Sequence, residues 1–145
     1  MEKGLLRVEN PGRLERLPWP GGKELLLDGA HNPEGAWALR EALHFHGLLP
    51  AALVLAFSRE KDHRAMAKAF KGLGPVVLTR YASPRSQDPR ALLPLFPGAL
   101  VEEDPLKALE RAFGFADRAV VAGSLYLVGE VLRALRGLPP EERWQ

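Results

Sequence analysis

The sequence predicts an α/β domain of three layers, doubly wound around a mostly parallel six-stranded sheet with one antiparallel edge strand. Two observations predict it. Short apolar runs alternate along the chain with amphipathic, helix-period segments, joined by short loops. The runs are continuous rather than alternating, as Leu25–Leu27 and Ala51–Phe57 illustrate, which is the pattern of parallel strands covered on both faces.

Taken in order, residues 1–10 have no period and read as an incoming linker; the domain proper spans 11–138, and 139–145 form a polar tail. Pro11-Gly12-Arg13 is a turn, and Leu14–Leu17 alternates like a short edge strand. Pro18 to Gly22 form a second turn that closes a hairpin onto Glu24–Asp28, the prolines excluding Trp19 and its neighbours from a central strand.

The stretch Glu24–Ala38 organises the rest. A strand, Leu25–Leu27, runs into the polar turn Asp28-Gly29-Ala30-His31-Asn32-Pro33 and then directly into a helix. Asn32 is a good N-cap and Pro33 a good first helical residue, so both have structural reasons to be there. Asp28 and His31 are not needed to start the helix and stand out as candidate functional residues.

The first helix runs from Pro33 to His46 and stops at Gly47. Ala36, Ala38, Leu39, Ala42, Leu43 and Phe45 share its broad apolar face, whereas Trp37 falls in the middle of the polar one. Trp37, and Tyr126 on the last helix, are therefore candidate contacts with a ligand cleft or another domain.

Beyond it follow a strand at Ala51–Phe57, a helix at Asp62–Leu73 and a strand at Pro75–Arg80. A short helix at Pro89–Leu95, a strand at Ala99–Glu102 and a helix at Pro105–Phe115 capped by Asp104 come next. The strand Arg118–Ala122 then turns at Gly123-Ser124 into a final helix reaching about Arg136.

A chain of 145 residues, 46% hydrophobic and 26% charged, makes one globular domain. A net charge of +2 does not call for nucleic acid. No cysteine is present, so disulfides and thiolate metal sites are excluded. No apolar run reaches the length of a membrane span and no leader pattern opens the chain, which makes the cytoplasm the default. The scarcity of Asn and Gln fits a heat-stable source, although a G+C-rich genome gives the same bias.

Known phosphate-binding signatures are missing: there is no G-x-x-x-x-G-K-[ST] loop and no G-x-G-x-x-G. The histidines have no metal-ligand spacing, and Gly123-Ser124 lacks the second glycine of a nucleophile elbow. What remains is a ring of polar residues on loops leaving one sheet edge: Asp28, His31, the run Ser58–Asp62, Ser83, Arg85 and Ser124, with Arg13 approaching from the edge hairpin. Cations, a carboxylate and helix N-termini suit a phosphorylated or carboxylated ligand. Plainer roles stand beside each: Ser124 as a helix cap, Arg85 and Lys61 as solvated charges, Arg13 as a partner for Glu15.

The hexad Asp28–Pro33, preceded by Pro11-Gly12-Arg13-Leu14-Glu15 and followed by Gly123-Ser124-Leu125-Tyr126-Leu127-Val128-Gly129, resembles the C-terminal domain of folylpolyglutamate synthase, often bifunctional with dihydrofolate synthase. That family belongs with the Mur ligases. The resemblance covers nearly the whole chain, and Gly29-Ala30 favours the folate branch over the Mur branches. It implies a larger N-terminal ATPase domain, absent from this chain, that carries the phosphate loop and most ligands of Mg2+. It implies ATP-dependent amide formation between L-glutamate and a reduced folate or dihydropteroate, by a monomer. By the same resemblance Arg13 contacts ATP phosphate, Asp28 the ribose or adenine side, and His31 and Ser124 the incoming glutamate and reacting centre. Ser83 and Arg85 lie in its intermediate substrate-facing loops. The loop Ser58–Asp62 departs from the family's pattern in carrying more charge. A Mur-type peptidoglycan ligase domain, and a stand-alone flavodoxin-like anion-binding module, remain as alternatives.

Overall fold

The structure, a computed structural model, describes residues 14–137. The linker 1–10, the tail 139–145 and Arg13 lie outside the described residues. The strands are β1 (Glu15–Trp19), β2 (Lys23–Leu27), β3 (Ala52–Leu55), β4 (Val76–Leu78), β5 (Leu100–Val101) and β6 (Arg118–Ala122). The helices are α1 (Pro33–Phe45), α2 (His63–Phe70), α3 (Pro105–Phe113) and α4 (Leu125–Leu135), with a 3-10 helix at Pro89–Leu95.

The six strands form one sheet in the order β1-β2-β6-β3-β4-β5. Only β1 and β2 pair antiparallel; every other pair is parallel. β1 extends further than the sequence predicts, through Pro18 and Trp19, which pair with Glu24 and Lys23. An edge strand has one unpaired side, so a residue without an N–H is tolerated there. Stacking of Trp19 on Phe113, with ring centroids 4.8 Å apart, anchors that end.

Strand residues alternate between two cores. Leu26, Leu53, Leu55, Val120 and Ala122 pack under α1, α2 and the 3-10 helix. Leu25, Leu27, Val54, Val77 and Val121 face α3 and α4. Parallel strands with helices on both faces must be apolar at every position, which is why these runs do not alternate. One face assignment fails: Phe45, placed with the apolar stripe of α1, is 84% exposed, and Ala38 is exposed as well. The stripe that packs is Ala36, Leu39 and Leu43. At 100° per residue Phe45 and Ala38 fall on the side of α1 opposite Ala36, Leu39 and Leu43, so the Phe45 side chain faces away from the sheet, and its ring meets His46 edge-on.

Strand order decides where the loops go. The chain leaves β2 for α1 on one face, and leaves β6 for α4 on the other. Because β6 lies between β2 and β3, its exit diverges from that of both neighbours. Such a topological switch opens a crevice at the carboxyl ends of the strands.

Candidate functional site

The Asp28–Asn32 loop, the Gly123-Ser124 turn and the loop after β3 sit side by side at this carboxyl edge, because β2, β6 and β3 are neighbours. The ladders continue into them: Asp28 N–H donates to Val121 O at 3.0 Å, and Ala56 N–H to Ala122 O at 3.4 Å. Gly123 is required here, since its φ is +106° and a Cβ would lie 2.3 Å from Ala56 O.

Asp28 is buried, and Ala30 N–H donates to its Oδ1 at 2.8 Å. Burial pushes its carboxyl group up to about 7, against the opposing pull of that hydrogen bond. A partly protonated acid at a strand end can both accept and donate hydrogen bonds, as a sugar hydroxyl demands.

His31 is exposed, with Nδ1 2.9 Å from Gly29 O. A carbonyl only accepts, so Nδ1 carries the proton and donates. In the neutral ring, Nε2 therefore bears the free lone pair. Below it Asn32 caps α1, its side chain accepting from Gly35 N–H at 2.7 Å.

Ser124 is almost fully buried and caps α4, its Oγ accepting from Tyr126 N–H at 3.0 Å and Leu127 N–H at 3.4 Å. Its hydroxyl proton is not used by either bond and can still be donated. Ser83 and Arg85 sit further along the same edge, on the loop after β4. That loop is tied to the one after β3: Arg59 N–H donates to Arg85 O at 2.8 Å, and Ser58 bridges Ser86. Ser83 Oγ accepts from Arg85 N–H at 3.1 Å, and the exposed Arg85 guanidinium stands 3.7 Å from Glu60.

Trp37 and Tyr126 are both half exposed near the starts of α1 and α4. Arg40 lies over the Trp37 ring at 5.7 Å, and Tyr126 stacks on the buried Tyr81 at 5.6 Å. Tyr81 escapes the sequence reading, since nothing in its neighbourhood marks it. Its hydroxyl meets Ser58 Oγ at 2.6 Å, and the adjacent Ala82 N–H donates to Glu130 at 2.9 Å, so it braces the loop after β4 against α4.

Two concavities lie elsewhere, one at the amino edge around Lys23, Glu24 and Arg118, the other between α2 and the 3-10 helix. The chemistry points to the carboxyl edge instead, an open rim where the polar side chains collect. Among the described residues no group of three or more His, Asp or Glu could hold a metal ion. No described helix is long and apolar enough to cross a membrane.

Residues 12–125 match the family described as Mur ligase, glutamate ligase domain. The chain belongs to this family. A probable bifunctional folylpolyglutamate synthase/dihydropteroate synthase of Haloferax volcanii is 33% identical over 140 residues, covering 90% of this chain and 16% of the relative. A UDP-N-acetylmuramoyl-L-alanyl-D-glutamate--2,6-diaminopimelate ligase of Caulobacter vibrioides is 32% identical, covering 83% of this chain and 27% of the relative. Folylpolyglutamate synthase of Thermotoga maritima superposes with a TM-score of 0.80 at 37% identity, over 94% of this chain and 33% of that one. Folylpolyglutamate synthase of Mycobacterium tuberculosis, solved in complex with ADP and AMPPCP, gives 0.75 at 27% identity, over 90% and 33%. This glutamate ligase domain thus spans a third or less of the length of these relatives.

Proposed function

We propose that this chain is the C-terminal domain of an ATP-dependent ligase that adds L-glutamate to a reduced folate, with dihydropteroate as a second acceptor of the same chemistry. The carrying observation is the Asp28–Pro33 turn, set at the switch point of a sheet that superposes on folylpolyglutamate synthase at 37% identity. The domain closes over an ATP site whose phosphate loop and Mg2+ ligands belong to an N-terminal ATPase domain. We place the enzyme in the cytoplasm as a monomer.

The acceptor's carboxylate attacks the terminal phosphorus of ATP, giving an acyl phosphate and releasing ADP. The amine of glutamate then attacks the acyl carbon, phosphate leaves with the C–O electron pair, and the nitrogen loses a proton. Positioning and charge neutralisation are the protein's main contributions to such transfers. Arg13 serves the second by forking to phosphate oxygens. Asp28 holds the ribose or adenine side. His31 Nε2, freed by the Nδ1 bond to Gly29, accepts the amine's proton. Ser124, Ser83 and Arg85 receive the glutamate, the exposed Arg85 guanidinium standing in an ion pair with Glu60.

The test is glutamate-dependent ADP release by the full-length polypeptide containing this domain. Turnover with tetrahydrofolate and none with a UDP-muramoyl peptide is the expected result, and the isolated 145-residue chain is inactive. The reverse preference supports the second reading, a Mur-type ligase, which the 32% identity to the Caulobacter enzyme favours. No glutamate-dependent release with either acceptor overturns both.

A further inference from the structure

We propose that Tyr81 is a positioning residue of the glutamate site: its hydroxyl, bonded to Ser58, fixes the spacing between Ser124 on one side and Ser83 and Arg85 on the other. The inference rests on the glutamate-adding function proposed above. Strands β6 and β4, whose exits carry those residues, are not neighbours, because β3 lies between them. At the usual strand spacing the two exits stand about 10 Å apart. Each pairs with β3 rather than with the other, so no ladder couples them directly.

Tyr81 spans that gap. Its buried ring stacks on Tyr126, with centroids 5.6 Å apart and planes at 24°. Tyr126 N–H donates to Ser124 Oγ at 3.0 Å, so the stack reaches the residue that caps α4. The Tyr81 hydroxyl meets Ser58 Oγ at 2.6 Å, just beyond the end of β3. The Tyr81 backbone belongs to the loop it positions. Its N–H donates to Ser86 Oγ at 3.2 Å, and its carbonyl accepts from Ser83 N–H at 2.9 Å. Arg85 is held within that loop, its N–H donating to Ser83 Oγ and its carbonyl accepting from Arg59 N–H. One side chain thus joins the segments that carry all three proposed glutamate contacts.

Packing does not require the hydroxyl. A phenyl ring would fill the same core and keep the stack on Tyr126. A buried hydroxyl pair gives up water to make its bond, so replacing both partners by apolar groups of the same shape is close to neutral for stability. What the pair adds is geometry. A hydrogen bond is short and directional, whereas apolar contact has no preferred direction and lets the loop slide.

The test is steady-state kinetics of the full-length polypeptide, with tetrahydrofolate and ATP saturating and L-glutamate varied. Tyr81→Phe and Ser58→Ala each remove the bond and leave the other hydroxyl buried without it, so each should lower the urea midpoint. Each should also raise KM for glutamate about tenfold, with kcat and the KM for ATP close to native. The double variant Tyr81→Phe/Ser58→Ala decides between geometry and stability. It is expected to regain most of the urea midpoint while keeping the raised KM. A KM that returns to native together with the midpoint reduces Tyr81 to a structural brace and overturns the proposal. A glutamate KM unchanged in all three variants, or a fall in kcat without a change in KM, overturns it as well. If the native enzyme adds glutamate, either result refutes the positioning role alone. A native enzyme that releases no ADP in response to glutamate with either acceptor refutes the ligase function, and this role falls with it.

Discussion

Ala30 N–H donates to Asp28 Oδ1 at 2.8 Å, so a buried carboxyl group closes the turn on which the proposed site is built. Burial raises that group to about 7, so between about pH 4 and pH 7 the folded chain holds a proton the unfolded chain has lost. The Asp28 contribution to stability is therefore greatest below the unfolded value, declines as pH rises through this window and levels off above it. Glu24 works the other way at lower pH: hydrogen bonds from Arg16 and Arg118 depress it, and their stabilisation is lost on acidification. Urea midpoints of the native chain and Asp28→Asn, compared across pH, isolate the first effect. Their difference should change between pH 4 and 7, and a constant difference contradicts the shift.

His31→Ala separates chemistry from folding. The side chain is exposed and makes one bond to its own loop, so stability should change by less than about 0.5 kcal/mol. Turnover of the full-length enzyme should fall about 100-fold, the usual worth of a general base. Unchanged turnover across pH removes the proton-accepting role.

Gly123→Ala tests the close approach of β6 to β3. The added methyl would meet Ala56 O at 2.3 Å while the backbone stays at positive φ, and the atom met is backbone, which cannot turn aside as a flexible side chain can. A loss above about 2 kcal/mol is expected in chemical denaturation. A neutral substitution would mean that the two loops are free to part.

Ser124 tells its two roles apart by substitution. Alanine should cost about 1 kcal/mol, because two amides at the start of α4 lose their acceptor. Asparagine restores a capping oxygen without the hydroxyl. If Ser124 also meets glutamate, Ser124→Asn regains stability but keeps a raised KM for glutamate. Recovery of both reduces the residue to a cap.

Element type was legible nearly everywhere, because it depends on local signals. Asn32 and Ser124 cap helices where capping chemistry places them, and Pro33 opens α1. Boundaries were less so: α3 ends at Phe113 rather than Phe115, and Asp104 occupies its N-cap without a side-chain bond. Phe45 shows a further limit: its apolar character suggested the buried face, yet at 100° per residue it falls opposite Leu39 and Leu43 and is exposed. Of the candidate site, the turn Asp28–Pro33 carries its own motif. The brace of Tyr81 between Ser58 and Tyr126 joins residues distant in sequence and leaves no local pattern.

By itself the sequence determined the α/β class, the antiparallel edge hairpin and the hexad at the end of β2, since periodicity, capping and turn chemistry act over a few residues. Only the tertiary structure decided that β6 inserts between β2 and β3, because strand pairing couples segments some ninety residues apart and no local pattern encodes a neighbour. That insertion brings Asp28 and Ser124 to one edge and buries the Asp28 carboxyl group, which raises its proton affinity.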